Sequence, residues 1–159
     1  DAGNREWRLV LAGGSDVGRT NFVEKLKVEA KGYPIEILEN PPFKEIKDLY
    51  AKAKIFWTAS GYGINEAREP QKVEHFGITV VEAMAAGVVP IVFNAGGHKE
   101  IIEDGQNGYL WNKIPLLIER TKTIIKDPSL LRRLSAQSKK DSEKFSFKKF
   151  RDGVIKLLS

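Results

Sequence analysis

Apolar positions along the chain recur with two different periods. Five short apolar runs read as strands: Arg8-Leu9-Val10-Leu11-Ala12, Ile35-Glu36-Ile37-Leu38, Ile55-Phe56-Trp57-Thr58-Ala59, Ile91-Val92-Phe93 and Gly108-Tyr109-Leu110-Trp111. Between them apolar residues return every three or four positions, the helical spacing. That spacing predicts a helix over 19–30 with Phe22, Val23, Leu26 and Ala30 on one face. A second helix is expected over 44–53, with Ile46, Leu49, Tyr50 and Ala53 inward. Pro41-Pro42 keeps the loop before it from being helical. After the last strand come helices over 114–126, from Pro128 at a first helical position, and over 146–158. The last carries Phe147, Phe150, Val154, Leu157 and Leu158 along one stripe. Strands alternating with helices imply an α/β fold with a doubly wound parallel sheet. Ligands of such sheets sit at the carboxyl ends of the strands. The turns at Gly13-Gly14, Ser60-Gly61, Phe76-Gly77 and Gly96-Gly97 would gather on that edge.

The stretch from Val73 to Gly97 organises the rest. Phe76-Gly77 predicts a tight turn, since glycine tolerates backbone angles other residues avoid. Thr79, with Glu82 three residues on, has the spacing of a capping box. The helix that follows reads as apolar all round, hence buried, and ends at Gly87. Pro90 fits the start of the next strand. Behind Gly96-Gly97 another helix should open, over 97–102. A buried helix start behind a glycine turn offers unpaired N–H groups and the positive end of a dipole, which is an anion site suited to phosphate. The same residues also suit a glycine turn that merely closes a core helix. The polar segment Gly61–Val73 lacks periodicity and reads as a mobile loop or a one-turn helix. A lid and an insertion of no consequence remain equal alternatives for it.

Composition narrows the classes. The 159 residues suit one domain, and a 42% hydrophobic content is enough for a core. There is no cysteine, so disulfides, thiolate metal sites and cysteine nucleophiles are excluded. That is compatible with a cytoplasmic protein. No apolar run is long enough to span a bilayer, and no signal peptide is visible. The net charge of +5 is uneven, because residues 113–159 hold 13 Lys/Arg against 5 Asp/Glu. A solvated helical surface and a patch for an anionic partner both account for that asymmetry. Interleaved exposed aromatics are missing from the basic third, so no nucleic-acid partner is expected.

One competing pattern exists. Gly13-Gly14-Ser15-Asp16-Val17-Gly18-Arg19-Thr20 has P-loop spacing, but Arg19 stands where a lysine belongs. A forked guanidinium does not replace a point charge among phosphates, and no later strand ends in an aspartate placed for magnesium. His75 and His98 are the only histidines, too few for a metal site with scattered carboxylates. His75 is expected to shape the loop or touch a ligand, and His98 to face the sugar of a ligand or the solvent.

Glu74-x7-Glu82 encloses His75-Phe76-Gly77-Ile78 and is followed by Glu82-Ala83-Met84-Ala85-Ala86-Gly87, Asn94-Ala95-Gly96-Gly97 and Asp104-Gly105-Gln106-Asn107-Gly108-Tyr109-Leu110. This order resembles the retaining nucleotide-sugar glycosyltransferases of the GT-B fold, family four (glycosyl transferases group 1). The Glu-His-Phe-Gly-Ile version is most similar to mannosyltransferases that build lipid-linked oligosaccharides. The resemblance implies a three-layer Rossmann-like sheet, the C-terminal half of a GT-B enzyme. Residues 1–145 would form the nucleotide-sugar-binding domain, without its first strand and helix, and 146–159 a helix crossing to an absent N-terminal domain.

The resemblance also implies roles. Glu74 would be the catalytic carboxylate, holding the hexose and stabilising charge at its anomeric carbon. Glu82 would take the ribose, and the amides of Phe76, Gly77, Ile78 and Thr79 the diphosphate. His75, Gly13, Gly14, Ser60, Gly96 and Gly97 would line the donor site. The expected donor is a nucleotide-sugar, GDP-mannose before UDP- or ADP-sugars, with no metal or other cofactor. Expected partners are a glycan or polyprenyl-linked acceptor, the absent domain and anionic membrane on the cytoplasmic face. An Arg and a Lys that the family uses for the diphosphate would lie upstream of Asp1, so the fragment alone would be inactive. The alternatives are a P-loop-like nucleotide hydrolase or switch, and a non-catalytic module of the same fold.

Overall fold

The structure is a computed structural model and describes residues 7–14 and 21–158. Contacts between Cα atoms divide the chain into two units, Asp1–Leu49 and Tyr50–Ser159. Each is described by itself.

The first unit contains β1 (Leu9–Gly13), α1 (Asn21–Ala30), β2 (Ile35–Glu39) and the start of α2 (Phe43–Lys52). β1 and β2 pair in parallel from Leu9–Ile35 to Gly13–Glu39. The expected inward face of α1 holds in part: Val23, Leu26 and Ala30 are half-buried, whereas Phe22 is 62% exposed. Asn40 turns the chain after β2 with a φ of 49°, and its N–H donates to the Gly13 carbonyl (2.8 Å). Ser15–Thr20, with the Arg19 of the P-loop-like pattern, lies outside the described residues.

The second unit holds β3 (Ile55–Thr58), α3 (Ile78–Ala85), β4 (Val89–Phe93), α4 (His98–Ile101) and β5 (Tyr109–Trp111). It then closes with α5 (Ile114–Lys126), α6 (Pro128–Ser142) and α7 (Phe147–Leu158). Its strands pair in parallel in the order β3-β4-β5. The parallel pairing expected from the sequence is found in both units, as the ladders β1-β2 and β3-β4-β5.

β4 is the middle strand, and both of its faces are covered. Val89 and Ile91 join Tyr109, Trp111, Ile124 and Leu134 in one cluster, fed by α5 and α6. Val92 joins Val80, Met84, Ile101 and Ile102 in the other, fed by α3 and α4. A parallel strand covered on both faces reads as an unbroken apolar run, and β4 does. Pro90 has no N–H to give, and Gly108 accommodates it: a Cβ there would lie 2.7 Å from the proline ring.

The helix ends follow local chemistry. Asp127 caps α6, its Oδ1 accepting from the N–H groups of Ser129 and Leu130 (both 2.9 Å) ahead of Pro128 at the first position. α3 ends in a Schellman motif: Gly87 (φ 78°) donates to Met84 and Val88 to Ala83. α7 has no buried residue; Phe147, Phe150, Ile155, Leu157 and Leu158 are each more than half exposed, so the basic third does carry exposed aromatics between its charges, against the expectation. Among the described residues no helix is long and apolar enough to cross a membrane.

Candidate functional site

The centre of the second unit is the mouth of α3. Gly77, at φ 99° and ψ 50°, is the N-cap, and it makes no side-chain cap bond because it has no side chain. This corrects the capping-box expectation: the left-handed turn starts the helix at Ile78, so Thr79 is already inside it. Glu82 therefore has no capping role. The helix is also not buried all round. Val80, Ala83 and Met84 are buried, while Ile78 is 63% exposed. The N–H groups of Ile78 and Thr79 find no acceptor among the described residues, as expected for the first turn of a helix.

Gly77 is packed from below. A Cβ on it would meet Ile101 Cδ1 at 3.2 Å and His98 Cδ2 at 3.5 Å. His98 is fully buried, which corrects the solvent-facing alternative expected for it. Its Nδ1 lies 2.8 Å from the Phe93 carbonyl, so Nδ1 donates and Nε2 keeps its lone pair, buried without a partner. His75 is exposed at the rim. The Phe76 ring, 44% exposed, meets Phe145 edge-on at 5.7 Å.

The second glycine turn is pressed onto this loop. Gly97 N–H donates to the Glu74 carbonyl (2.8 Å). A Cβ on Gly97 would lie 2.6 Å from the His75 carbonyl oxygen and 2.7 Å from that of Phe76, and one on Gly96 would collide with the Glu74 carbonyl. Only glycines allow backbone to approach backbone this closely. The Phe76-Gly77 and Gly96-Gly97 turns thus do meet. Ser60 is half-buried at the end of β3, its N–H bonded to Thr58 Oγ1 (3.3 Å), and Gly61 beside it packs on Val73. Gly13 and Gly14 are exposed at the end of β1 in the first unit.

Glu74 is half-buried, and its carboxylate makes no hydrogen bond among the described residues. Glu82, also half-buried, sits one helical turn from Thr79 on the same face of α3. Tyr50 stands beside that face: its hydroxyl donates to the Thr79 carbonyl at 3.4 Å. Burial, then the nearby Glu82 charge, pushes the Tyr50 phenol up to about 12. The helical spacing places Tyr50 inward but does not link it to Glu82.

The segment Gly61–Val73 is neither a regular element nor loose. Asn65 Oδ1 accepts from the N–H groups of Ala67 (3.1 Å) and Arg68 (3.3 Å), and Pro70–Lys72 forms a single 3-10 turn. Tyr62 anchors its start on Phe93 and Trp111, with ring centroids 5.5 and 5.4 Å away. Glu66 reaches the Gly96 N–H and Lys99, a pairing that sequence reasoning missed because its partners lie 30 and 33 residues on. The Asp104–Gly108 turn is structural: buried Asn107 donates to the Ile101 carbonyl and to Asp141 (both 3.1 Å) and accepts from Glu103 N–H (2.9 Å). Among the described residues no group of three or more His, Asp or Glu could hold a metal ion.

Parallel strands, helices on both faces of β4 and glycine turns at the helix mouths make the second unit Rossmann-like. The fold matches that of Anabaena HepE in complex with UDP at a TM-score of 0.80 and 21% identity, covering 98% of this chain and 41% of that one. Residues 2–141 match the glycosyl transferases group 1 family, and the chain belongs to it. It is 34% identical to alpha-1,3/1,6-mannosyltransferase ALG2 of Dictyostelium discoideum, over 93% of this chain and 35% of that protein. It is 35% identical to a GDP-Man:Man(3)GlcNAc(2)-PP-Dol alpha-1,2-mannosyltransferase of Xenopus laevis, over 67% of this chain and 21% of that protein. The chain thus spans about a third or less of these curated relatives. The P-loop alternative is not favoured, since the family match runs through Gly13–Thr20.

Proposed function

We propose that this chain is the donor-binding part of a retaining glycosyltransferase. The enzyme moves a hexose, mannose by preference, from a nucleotide-sugar to a glycan or polyprenyl-linked acceptor. Family membership and the named mannosyltransferase relatives support the class. The observation that carries the site is the mouth of α3. Among the described residues two amide donors there lack acceptors, and the Glu74 and Glu82 carboxylates beside them make no hydrogen bond.

In this reading the diphosphate lies on the amides of Phe76, Gly77, Ile78 and Thr79 at the positive end of α3. As the bond from the anomeric carbon to phosphate breaks, these donors stabilise the charge gathering on the leaving oxygen. Glu82 takes the two ribose hydroxyls, since a carboxylate accepts two such bonds at once. Tyr50, neutral beside it, lines that subsite. Glu74 holds the hexose and faces the positive charge that grows at the anomeric carbon. In the second unit His75, Ser60, Gly96 and Gly97 belong to the donor site. No metal takes part, because positioning and amide donors do the work.

The whole enzyme pairs this part with an acceptor domain, a reading supported by the chain's spanning about a third or less of its curated relatives. α7 crosses to that domain and covers its apolar stripe there. The intact enzyme is cytoplasmic and touches anionic membrane through its basic C-terminal helices.

Calorimetric titration with GDP, UDP and ADP tests the reading. GDP is expected to bind best, and Glu82→Ala to weaken it about tenfold, the loss of charge-assisted hydrogen bonds. No binding of any nucleotide, or unchanged affinity in Glu82→Ala, would count against it.

A further inference from the structure

The Gly61–Val73 segment touches the site through one side chain. Glu66 Oε1 accepts from Gly96 N–H at 2.9 Å, and Lys99 Nζ lies 2.8 Å from each carboxylate oxygen. Gly96 and Gly97 are the residues pressed against the backbone of Glu74, His75 and Phe76, with Gly97 N–H on the Glu74 carbonyl. The glycine turn is therefore gripped from two sides, by the Glu66 carboxylate and by the backbone around Glu74.

The Asn65 side chain fixes the direction of this carboxylate, because its bonds to Ala67 and Arg68 tighten the turn that carries Glu66. Val73, just before Glu74, packs on both Gly61 and Gly96, so the segment leaves and returns against the same turn. The Lys99 ammonium, then the Gly96 N–H, hold the Glu66 carboxyl below the ordinary glutamate range against the opposing effect of burial. Glu66 is thus an anion at neutral pH.

Exposure separates a local role from a global one. The Glu66 and Lys99 side chains are 38% and 45% exposed. Ion pairs this open to water contribute little to folding. What the pair can do is fix the phase of the Gly96 peptide, and with it the hydrogen bond that holds Glu74.

We propose that Glu66 is a positioning residue for the hexose end of the donor site. Its carboxylate locks the Gly96-Gly97 turn against Glu74, and that lock sets where the Glu74 side chain meets the sugar. This rests on the donor-site reading of Glu74. It assigns the segment before Glu74 a task in sugar recognition that is neither a lid nor an idle insertion.

The test compares a nucleoside diphosphate with its hexose conjugate on the full chain, as wild type, Glu66→Ala and Glu66→Gln. GDP affinity should fall much less than GDP-mannose affinity, since Glu66 bonds Gly96 and Lys99 and none of the amides assigned to the diphosphate. The preference for GDP-mannose over GDP should fall about tenfold in Glu66→Ala, the worth of one misplaced charge-assisted hydrogen bond. Glu66→Gln retains an oxygen for Gly96 N–H and should recover most of that preference. Hydrogen exchange of the Gly97 amide, read without ligand, should speed up in Glu66→Ala and return in Glu66→Gln. The Ile91 and Val92 amides of β4 should stay unchanged.

An unchanged Gly97 exchange rate overturns the lock, whatever binds. Equal loss of GDP and GDP-mannose affinity overturns it too, because a general disturbance acts on both. A wild-type chain that binds neither ligand removes the donor-site reading and Glu66's part in it. Faster Gly97 exchange in Glu66→Ala would then still establish the contact.

Discussion

The first and second units are written in the same pattern, strand then helix with every strand pair parallel, yet only the second has an interior. No described residue from Trp7 to Leu49 is fully buried. In the second unit β4 is buried from Val89 to Val92, between α5 and α6 on one face and α3 and α4 on the other. β1 is no less apolar, reading Leu-Val-Leu-Ala-Gly, although β2 carries Glu36 and Glu39. What differs is the cover. Two parallel strands with one helix against them leave faces open, and such sheets reach stability when both faces are packed. An amphipathic pattern specifies which face turns inward, but not how much arrives to cover it.

The electrostatics differ in the same sense. Lys27 pairs with Glu24 and Glu39, and Arg8 with Glu36, all at exposed sites where such pairs contribute little. In the second unit Asp141 is buried and ties α6 to the Asp104–Gly108 turn through Asn107, while Gln137 and Lys144 bind the same carboxylate from their own side.

Truncation of the core should break the comparison most sharply. Leu134→Ala, at a fully buried position, should lose about 2–5 kcal/mol, whereas Leu11→Ala, half-buried, should lose about 1 kcal/mol. Urea unfolding followed by hydrogen exchange in each unit checks this. Equal losses would mean that the first unit is as well covered as the second.

Acid should act mainly on the second unit. Burial pushes the Asp141 carboxyl up, but hydrogen bonds from Gln137, Lys144 and Asn107 outweigh it and hold the group below its usual value. A depressed carboxyl contributes stability that is complete above the unfolded value of about 3.9 and is lost as pH falls through the lower folded value. Unfolding of this unit should steepen below about pH 4. Asp141→Asn should flatten that limb and destabilise the unit by about 1–3 kcal/mol at neutral pH, by leaving buried donors unpaired. The smallest effect belongs to α1: Val28→Ser, at a site 72% exposed, should shift stability by less than about 0.5 kcal/mol. A larger loss, seen as an earlier melt, would mean that α1 has a partner in solution.

Much of the fold is legible in the sequence because local chemistry decides it. Pro128 behind Asp127, Gly87 after Ala86 and the apolar run of β4 each do in the structure what their residue types predict. The misses have physical causes. Thr79 has the spacing of a cap, but Gly77 takes a left-handed angle and starts the helix earlier. Phe22 fits a helical stripe, but little packs against it. The glycine neighbours of His98 suggest an open turn, whereas the Phe93 carbonyl draws its ring inward. The glycines and glutamates proposed for the donor site are visible as a spaced set, and the roles proposed for them rest on that set. Glu66 is not visible at all, since a glutamate in an aperiodic segment carries no signal until its distant partners are known.

Phe145 ends the 3-10 turn Glu143–Phe145 that carries the chain from α6 into α7, and its ring lies edge-on against Phe76. α7 is 12 residues long, about 18 Å at the helical rise, and buries none of them. It is a long arm pivoted beside a short one. A swing at its far end, where leverage is greatest, would arrive as a small nudge on the ring next to Gly77. The root of the tail and the lip of the helix mouth share that one ring contact.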